Sequence, residues 1–197
     1  MRKSMLIQMF FVACFIFAAS AMAQNLSATK ENSAPPENLI KNGSFEEGKD
    51  PGQYSTEGVG SKNIAHWNIT MGTVDYIGSY FPCHSGKRCI DMDGTPGPGK
   101  IQQTFKTTPG TKYLVTFALD ANRQGPPDVK RLKVSAAGQS KAFSFDGNKY
   151  KKWKLFTWKF TAKSDRTTLA FTSLSVKGND CGALLDDVSV TLGEKIK

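Results

Sequence analysis

Apolar side chains occupy every second position in four stretches of the chain, and this alternation limits the fold more than any other feature. The stretches cover residues 113–119, 131–136, 156–161 and 188–192. In an extended strand, a period of two puts every second side chain on the same face, which suits an antiparallel sheet with one packed face. Because no stretch has a good helical period, the sequence predicts an all-β protein.

Clusters of Gly, Pro, Asn and Asp separate these stretches, for example at residues 94–99, 125–127 and 146–148. Such residues favour tight turns, and their spacing here is typical of a β-sandwich. We therefore predict an antiparallel jelly-roll sandwich of about nine or ten strands in two sheets. We expect it to cover residues 38–192.

The N-terminus is typical of a secretory signal peptide over residues 1–23. Arg2 and Lys3 precede an apolar run over residues 5–19, and small residues up to Ala23 form a cleavage motif. We therefore expect cleavage after Ala23 and a secreted, periplasmic or cell-envelope location. An alternative is a lipoprotein signal with Cys14 lipidated. No other segment is apolar enough to cross a membrane.

The chain that remains after cleavage is basic. Residues 24–37 contain almost nothing to bury and predict a flexible leader, and residues 193–197 form a basic tail. Removal of the signal peptide leaves 24 basic and 17 acidic side chains, a net charge of +7. We interpret this charge as a solvated surface; the alternative is attraction to an acidic partner, such as a uronic-acid polysaccharide. No recognition motif indicates nucleic-acid binding.

Three cysteines follow the signal peptide, and export favours their oxidation. Cys83 and Cys89 are close enough in sequence to close a small disulfide loop between neighbouring strands. Cys181 would then be a free thiol, although it could also pair with either of the other two. Spacing alone does not decide the connectivity.

Two acidic segments lie at opposite ends of the predicted domain. Asp186 is in phase with Val188 and Val190, so simple alternation points its carboxylate towards the core, where a charge needs a partner. Glu46 is a natural second ligand if the terminal strands are neighbours, and we predict a structural calcium ion between the two carboxylates. The alternative is that backbone amides of the 42–43 turn bind Asp186 without a metal.

Several motifs, in their order along the chain, resemble those of known jelly-roll proteins. They include NGSFEEG at residues 42–48, IQQTFKTTPGTKYLVTFALDAN at residues 101–122 and CGALLDDVSV at residues 181–190. The sequence resembles the galactose-binding-like carbohydrate-binding modules. It is also similar to the choice-of-anchor C proteins and to the family catalogued as domain of unknown function 642. The resemblance implies an extracellular or cell-envelope protein that is associated with polysaccharide and has no established catalytic activity.

Sugar binding needs aromatic faces for the apolar side of a pyranose ring and polar side chains for its hydroxyls. The segment 75–82 offers three aromatic residues beside glycine and proline, and a second polar segment follows the strand at residues 113–119. An open alternative is that Tyr76 and Phe81 belong to the core. The predicted ligand contacts are Tyr76, Tyr80, Phe81, Asp75, Asn122 and Arg123.

These observations favour non-catalytic binding of a polysaccharide or glycoconjugate. The alternative from another class is a structural or adhesive envelope protein that binds another protein. Asp91 and Asp93 face the same side of one predicted strand and resemble a hydrolase carboxylate pair, but we interpret them as a solvated strand end. We therefore predict that the protein is not an enzyme.

Overall fold

Eleven β-strands form the regular structure of residues 36–193, which is the part of the chain that the computed structural model describes. In chain order they are β1 (Tyr54–Gly58), β2 (Asn68–Met71), β3 (Thr73–Ile77), β4 (Cys89–Asp91), β5 (Lys100–Lys106), β6 (Lys112–Ala121), β7 (Val129–Ala136), β8 (Gln139–Asp146), β9 (Lys154–Thr161), β10 (Arg166–Ser173) and β11 (Ala183–Leu192). The all-β prediction is confirmed, but nine or ten strands is too few. β2 and β4 have four and three residues, too short for alternation to reveal them.

The predicted signal peptide, nearly all of the predicted leader and nearly all of the basic tail lie outside the described residues. Within residues 36–193, no helix is long and apolar enough to cross a membrane.

The strands form two sheets in which every pair is antiparallel. The six-stranded sheet has the order β1-β3-β4-β11-β6-β9, and the five-stranded sheet has the order β2-β5-β10-β7-β8. Consecutive strands such as β1 and β2, or β5 and β6, lie in different sheets, so the chain passes repeatedly from one layer to the other. Two antiparallel layers joined in this way confirm the predicted jelly-roll sandwich.

Aromatic side chains fill the space between the two sheets. Phe117 of β6 packs against Phe143 of β8 and Phe171 of β10, with ring centroids 5.1 and 5.3 Å apart. Trp67 is also buried, and its indole Nε1 donates a hydrogen bond to the Asn42 carbonyl at 2.9 Å. Each buried phenylalanine contributes about 1.5–3 kcal/mol through loss of apolar surface from water, so this aromatic cluster is a major source of stability.

The first and last described segments lie side by side. The Leu39 amide donates to the Val190 carbonyl at 2.9 Å, and the Val190 amide donates to Oδ1 of Asn38 at the same distance. The Val188 amide donates to the Gly43 carbonyl at 2.8 Å. The expectation that the two ends of the domain are neighbours is therefore confirmed.

A β-bulge interrupts β11 between Asp186 and Ser189. Leu185 and Val188 both belong to the core, and Asp187 between them has a positive φ of 47°. The bulge inserts a residue into the alternation, so Asp186 lies on the outer side of the sheet. The prediction that its carboxylate points into the core is wrong, although Asp186 is fully buried there.

Candidate functional site

A cavity of about 120 Å³ opens on the outer side of the six-stranded sheet. It lies among the ends of β3, β4 and β6, the loop after β3 and the loop before β11. Four of the six predicted ligand contacts line it. The lining residues are Tyr54, Asp75, Ile77, Tyr80, Phe81, Asp91, Thr95, Asn122, Gln124, Asp180 and Cys181.

Strand register places two carboxylates side by side in this cavity. Asp75 of β3 and Asp91 of β4 are direct cross-strand partners. Their neighbours Tyr76 and Ile90 are also partners, and both point into the core. Since side chains alternate between the faces of a strand, the two aspartates point away from the core.

Asp91 is nearly fully buried and accepts three hydrogen bonds. Its Oδ2 accepts from the Asn122 side-chain amide at 2.8 Å, and its Oδ1 accepts from the backbone amides of Gly182 at 2.9 Å and Asp93 at 3.0 Å. Burial raises the pKa of Asp91 to about 7, because loss of water disfavours the charged form more than these donors stabilise it. The nearby charges of Asp93 and Asp75 act in the same direction.

Burial also raises the pKa of Asp75 above its ordinary value. The Thr56 hydroxyl donates to Oδ1 of Asp75 at 2.7 Å, and the Thr95 backbone amide also donates to this carboxylate. Both bonds oppose the effect of burial, whereas the charge of Asp180 adds to it. The cavity therefore has a polar floor rich in hydrogen-bond acceptors.

Three aromatic side chains form the rim of the cavity, and the central one, Tyr80, contacts the other two. The Tyr80 ring lies 4.8 Å from Phe81 and 5.1 Å from Tyr54, measured between centroids. Tyr80 is 41% exposed and Tyr54 is 47% exposed, so both rings have surface available to a ligand. The Tyr80 hydroxyl donates to Oε1 of Gln124 at 2.8 Å, which fixes the ring beside the polar floor.

Tyr76 is a core residue, so the prediction that it is an aromatic platform is wrong. Its side chain is fully buried, and its hydroxyl donates to the Phe45 carbonyl at 2.6 Å. The Arg88 guanidinium donates to the same hydroxyl at 3.1 Å. The reason is strand alternation: consecutive residues face opposite sides, so Asp75 and Tyr76 cannot both line one cavity.

Arg123 does not line the cavity either, so the prediction that it is a ligand contact is wrong. Its Nη2 donates to Oδ1 of Asp120 at 2.6 Å and to the Tyr150 carbonyl at 2.8 Å. The guanidinium is therefore engaged in joining the end of β6 to the loop before β9. Asn122, one residue earlier, points into the cavity.

Asp93 is buried, which corrects the interpretation of Asp91 and Asp93 as a solvated strand end. Oδ2 of Asp93 accepts a hydrogen bond from the Asn179 side chain at 2.8 Å, while its Oδ1 has no partner among the described residues. Lys130 is buried nearby, and its Nζ donates to the carbonyls of Gly125 and Cys181. Only Asp91 of the two aspartates lines the cavity, so they do not form a catalytic pair across it.

The Cys83–Cys89 disulfide is present, with the two sulfurs 2.10 Å apart, and Cys181 is a free thiol. The predicted pairing is therefore confirmed. The disulfide closes a loop whose backbone amides hold both predicted calcium ligands. Oε1 of Glu46 accepts from the amides of Lys87 and Arg88, and Oδ2 of Asp186 accepts from the amide of Ser85 at 3.0 Å.

Amide donors at these oxygens do not suit a cation, because each N–H directs positive charge at an atom that calcium would need. Within residues 36–193, no three His, Cys, Asp or Glu side chains form a group that could hold a metal ion. The amides that bind Asp186 are those of Ser85 in the disulfide loop and of Asp187, so the proposed source in the 42–43 turn is wrong. Burial raises the pKa of Asp186 to about 7 despite these donors. The calcium ion itself stays a prediction.

The chain is similar to proteins from an archaeon and a plant. Halomucin of Haloquadratum walsbyi (strain DSM 16790 / HBSQ001) is 30% identical over 164 residues, which cover 80% of this chain and 2% of Halomucin. Protein TEEBE of Arabidopsis thaliana is 27% identical over 173 residues, which cover 79% of this chain and 46% of TEEBE. The chain therefore spans less than half the length of these curated relatives.

The fold is similar to that of a solved carbohydrate-binding module. The CBM22-1 xylan-binding domain of Paenibacillus barcinonensis Xyn10C superposes with a TM-score of 0.53 at 15% identity, covering 81% of this chain and 97% of that domain. At this identity the similarity establishes a shared jelly-roll fold and nothing finer. The resemblance to choice-of-anchor C proteins stays a prediction.

Residues 38–191 match the family described as "Protein of unknown function (DUF642)". The chain therefore belongs to the DUF642 family.

Proposed function

We propose that the protein binds a neutral saccharide unit of a polysaccharide or glycoconjugate in the cavity on the six-stranded sheet, without catalysing a reaction. The observation that supports this most is the arrangement of three adjacent aromatic rings beside a floor of carboxylate and carboxamide groups. Saccharides require both surfaces, since one side of a pyranose ring presents C–H groups and its edge presents hydroxyls.

The polar floor suits a ligand that donates hydrogen bonds. Asp75 and Asp91 are acceptors when ionised, and the carboxamides of Asn122 and Gln124 can both donate and accept. Sugar hydroxyls match this set because each can do both. Asp180 adds a third carboxylate to the lining, so the cavity would repel a uronic acid or a sulfated sugar. We therefore propose an uncharged ring as the ligand.

The same geometry argues for binding rather than hydrolysis. A general acid must direct its proton at the substrate, but both oxygens of Asp91 already accept hydrogen bonds from the protein. Asp75 is likewise held by the hydroxyl of Thr56. In this proposal the two carboxylates orient hydroxyl groups and transfer no proton.

The proposed location is extracellular or in the cell envelope. The Cys83–Cys89 disulfide supports it, because such bonds persist in oxidising compartments. The predicted signal peptide agrees with this location but lies outside the described residues. Insoluble or membrane-attached polysaccharides are found in the same compartments, so the proposed ligand and the proposed location are consistent.

Calorimetric titration with a panel of neutral oligosaccharides tests the proposed site. Tyr80→Ala removes the central ring of the rim and should weaken binding of a positive ligand by about five- to tenfold, since an aromatic contact of this kind contributes about 1–1.5 kcal/mol. Leu155→Ala is a matched control, because Leu155 is 61% exposed on the edge strand β9 and does not line the cavity. It should leave affinity unchanged.

The absence of binding to any neutral oligosaccharide in the panel would contradict the proposal. So would a ligand whose affinity falls equally in the Tyr80 and Leu155 variants. Retention on envelope protein without any saccharide response would instead support the predicted alternative of an adhesive protein.

A further inference from the structure

The outer surface of the five-stranded sheet carries five cationic side chains, and we call it the basic face. Along β7 the core residues Leu132 and Val134 alternate with the exposed Arg131 and Lys133. The same alternation directs residues of β5 and β10 outwards. The five cations are Lys100, Lys106, Arg131, Lys133 and Arg166.

The cations of the basic face have no ion-pair partners. In the part of the chain that the structure describes, none of the five cations forms an ion pair. Lys106 and Arg166 are direct cross-strand partners. Lys100 and Lys133 both pair with Thr172, so they flank the same residue of β10. Like charges placed opposite one another destabilise a sheet, and an anion bound between them would relieve that repulsion.

An apolar depression of about 450 Å³ adjoins the basic face at the beginning of β7. Val129 and Leu174 contribute apolar surface to it, and both are 42% exposed. Arg131 and Lys177 also line the depression. It therefore combines an apolar floor with two cations, which suits a ring that has C–H groups on one side and a carboxylate at its edge.

The remaining outward positions of the same strands suit a polyhydroxylated polymer. They hold hydroxyl and carboxamide groups, including Gln102, Thr104, Ser135 and Thr168. Among the outward positions of β5, β7 and β10, there is no aromatic side chain on which a nucleobase could stack. Within residues 36–193, no helix borders these strands, so this surface has no amphipathic helix that could insert into a bilayer.

We propose that the basic face binds an acidic polysaccharide that bears carboxylate groups, such as a polyuronate. Charge complementarity supports this occupant, because five cations without acidic partners face the solvent over three adjacent strands. The cavity on the other sheet is lined by three carboxylates and would repel the same polymer. The two surfaces therefore take different ligands, and this inference does not depend on the function proposed for the cavity.

Binding to polygalacturonate tests the proposal, with the fully methyl-esterified polymer as the uncharged control. The wild-type protein should bind polygalacturonate, lose affinity as salt increases, and bind the ester weakly. The double variant Arg131→Gln/Lys133→Gln should lower the affinity by about five- to tenfold, since each exposed ion pair contributes at most about 1 kcal/mol. Circular dichroism checks that the variant is folded.

A second double variant tests whether binding depends on the basic face or only on the net charge of the protein. Lys112→Gln/Lys159→Gln removes the same charge from exposed positions on the six-stranded sheet, and should change the affinity by less than about twofold. Equal weakening in both double variants would overturn the proposal. Equal binding of the esterified polymer, or stronger binding to anionic phospholipid vesicles or duplex DNA, would also overturn it. Tyr80→Ala should leave polygalacturonate binding unchanged, which distinguishes this surface from the cavity.

Discussion

Asp75 and Asp91 are direct partners across β3 and β4, and both carboxylates line one cavity although neither forms an ion pair with a described basic residue. Burial raises the pKa of each, and that of Asp91 to about 7. Two acids whose ionisation is opposed by burial therefore line the cavity that we propose as the binding site. Placing such groups together reduces stability, which is common at functional sites.

The raised pKa of Asp91 makes stability depend on pH. The ordinary pKa of an aspartate is near 3.8, so the folded state holds the Asp91 proton more tightly than the unfolded chain does. This contribution to the free energy of unfolding is complete below about pH 4 and is lost as the pH rises through about 7. The pKa of Asp186 is raised as well, so its contribution to stability changes with pH in the same direction. Urea unfolding should show stability falling between pH 5 and about 7, by at most about 1.4 kcal/mol per pH unit for each group, and levelling off above that.

Asp91→Asn should make that slope less steep, because asparagine does not titrate, and Asp186 should account for the dependence that remains. Asp165→Asn, at an exposed position, is the control and should keep the wild-type slope. The assignment to Asp91 fails if its variant retains the full dependence on pH.

The disulfide loop should stabilise the fold. A loop of this length should contribute roughly 2 kcal/mol by restricting the unfolded chain. The loop also supplies backbone amides that bind Glu46 and Asp186. Cys83→Ser/Cys89→Ser should therefore lower the melting temperature by at least the amount that corresponds to losing this entropic contribution of roughly 2 kcal/mol. Cys181→Ser should have little effect. A double variant that melts with the wild type would contradict this role.

Gly43 lies where the two ends of the domain pack together, and the space beside it is too small for a side chain. A Cβ at this position would overlap the Val188 carbonyl oxygen, and backbone atoms cannot move aside as a flexible side chain can. Gly43→Ala should therefore cost at least about 2 kcal/mol of unfolding free energy, measured by urea denaturation. Gly58→Ala is the control, since its Cβ would meet only a Thr73 methyl group at 3.8 Å. Equal stability of the two variants would show that the ends are not packed as described.

Chelation decides whether calcium contributes to the same region. If backbone amides alone hold Glu46 and Asp186, then EDTA should leave the melting temperature of the wild-type protein unchanged. An ion bound only by the folded state would stabilise it in proportion to its occupancy, so a lower melting temperature with EDTA that calcium restores would establish the metal.

Alternation along the chain predicted the strands and most of the core, because burial of one face imposes a period of two. The same rule could have corrected one site residue in advance. Asp75 and Tyr76 are consecutive in a strand, so only one of them can face the cavity. Arg123 and Gln124 lie in a turn after β6, where strand alternation does not apply.

Other features of the site depend on information that is not local in sequence. Tyr54 reaches the cavity rim only because β1 pairs with β3, and strand order is not encoded in alternation. The orientation of Asp186 depends on a bulge, which a regular pattern cannot reveal. One of the amides that bind Asp186 is that of Ser85, in the disulfide loop about 100 residues earlier in the chain.

The central claim is that a neutral saccharide binds in the cavity on the six-stranded sheet. Mapping of backbone amide chemical shifts on titration with the best-binding neutral oligosaccharide tests it most directly. The account predicts that the largest changes occur at Tyr54, Tyr80, Asn122 and Gln124, and that the amides of β7 do not respond. Changes confined to the five-stranded sheet, or no changes at saturating sugar, would contradict it.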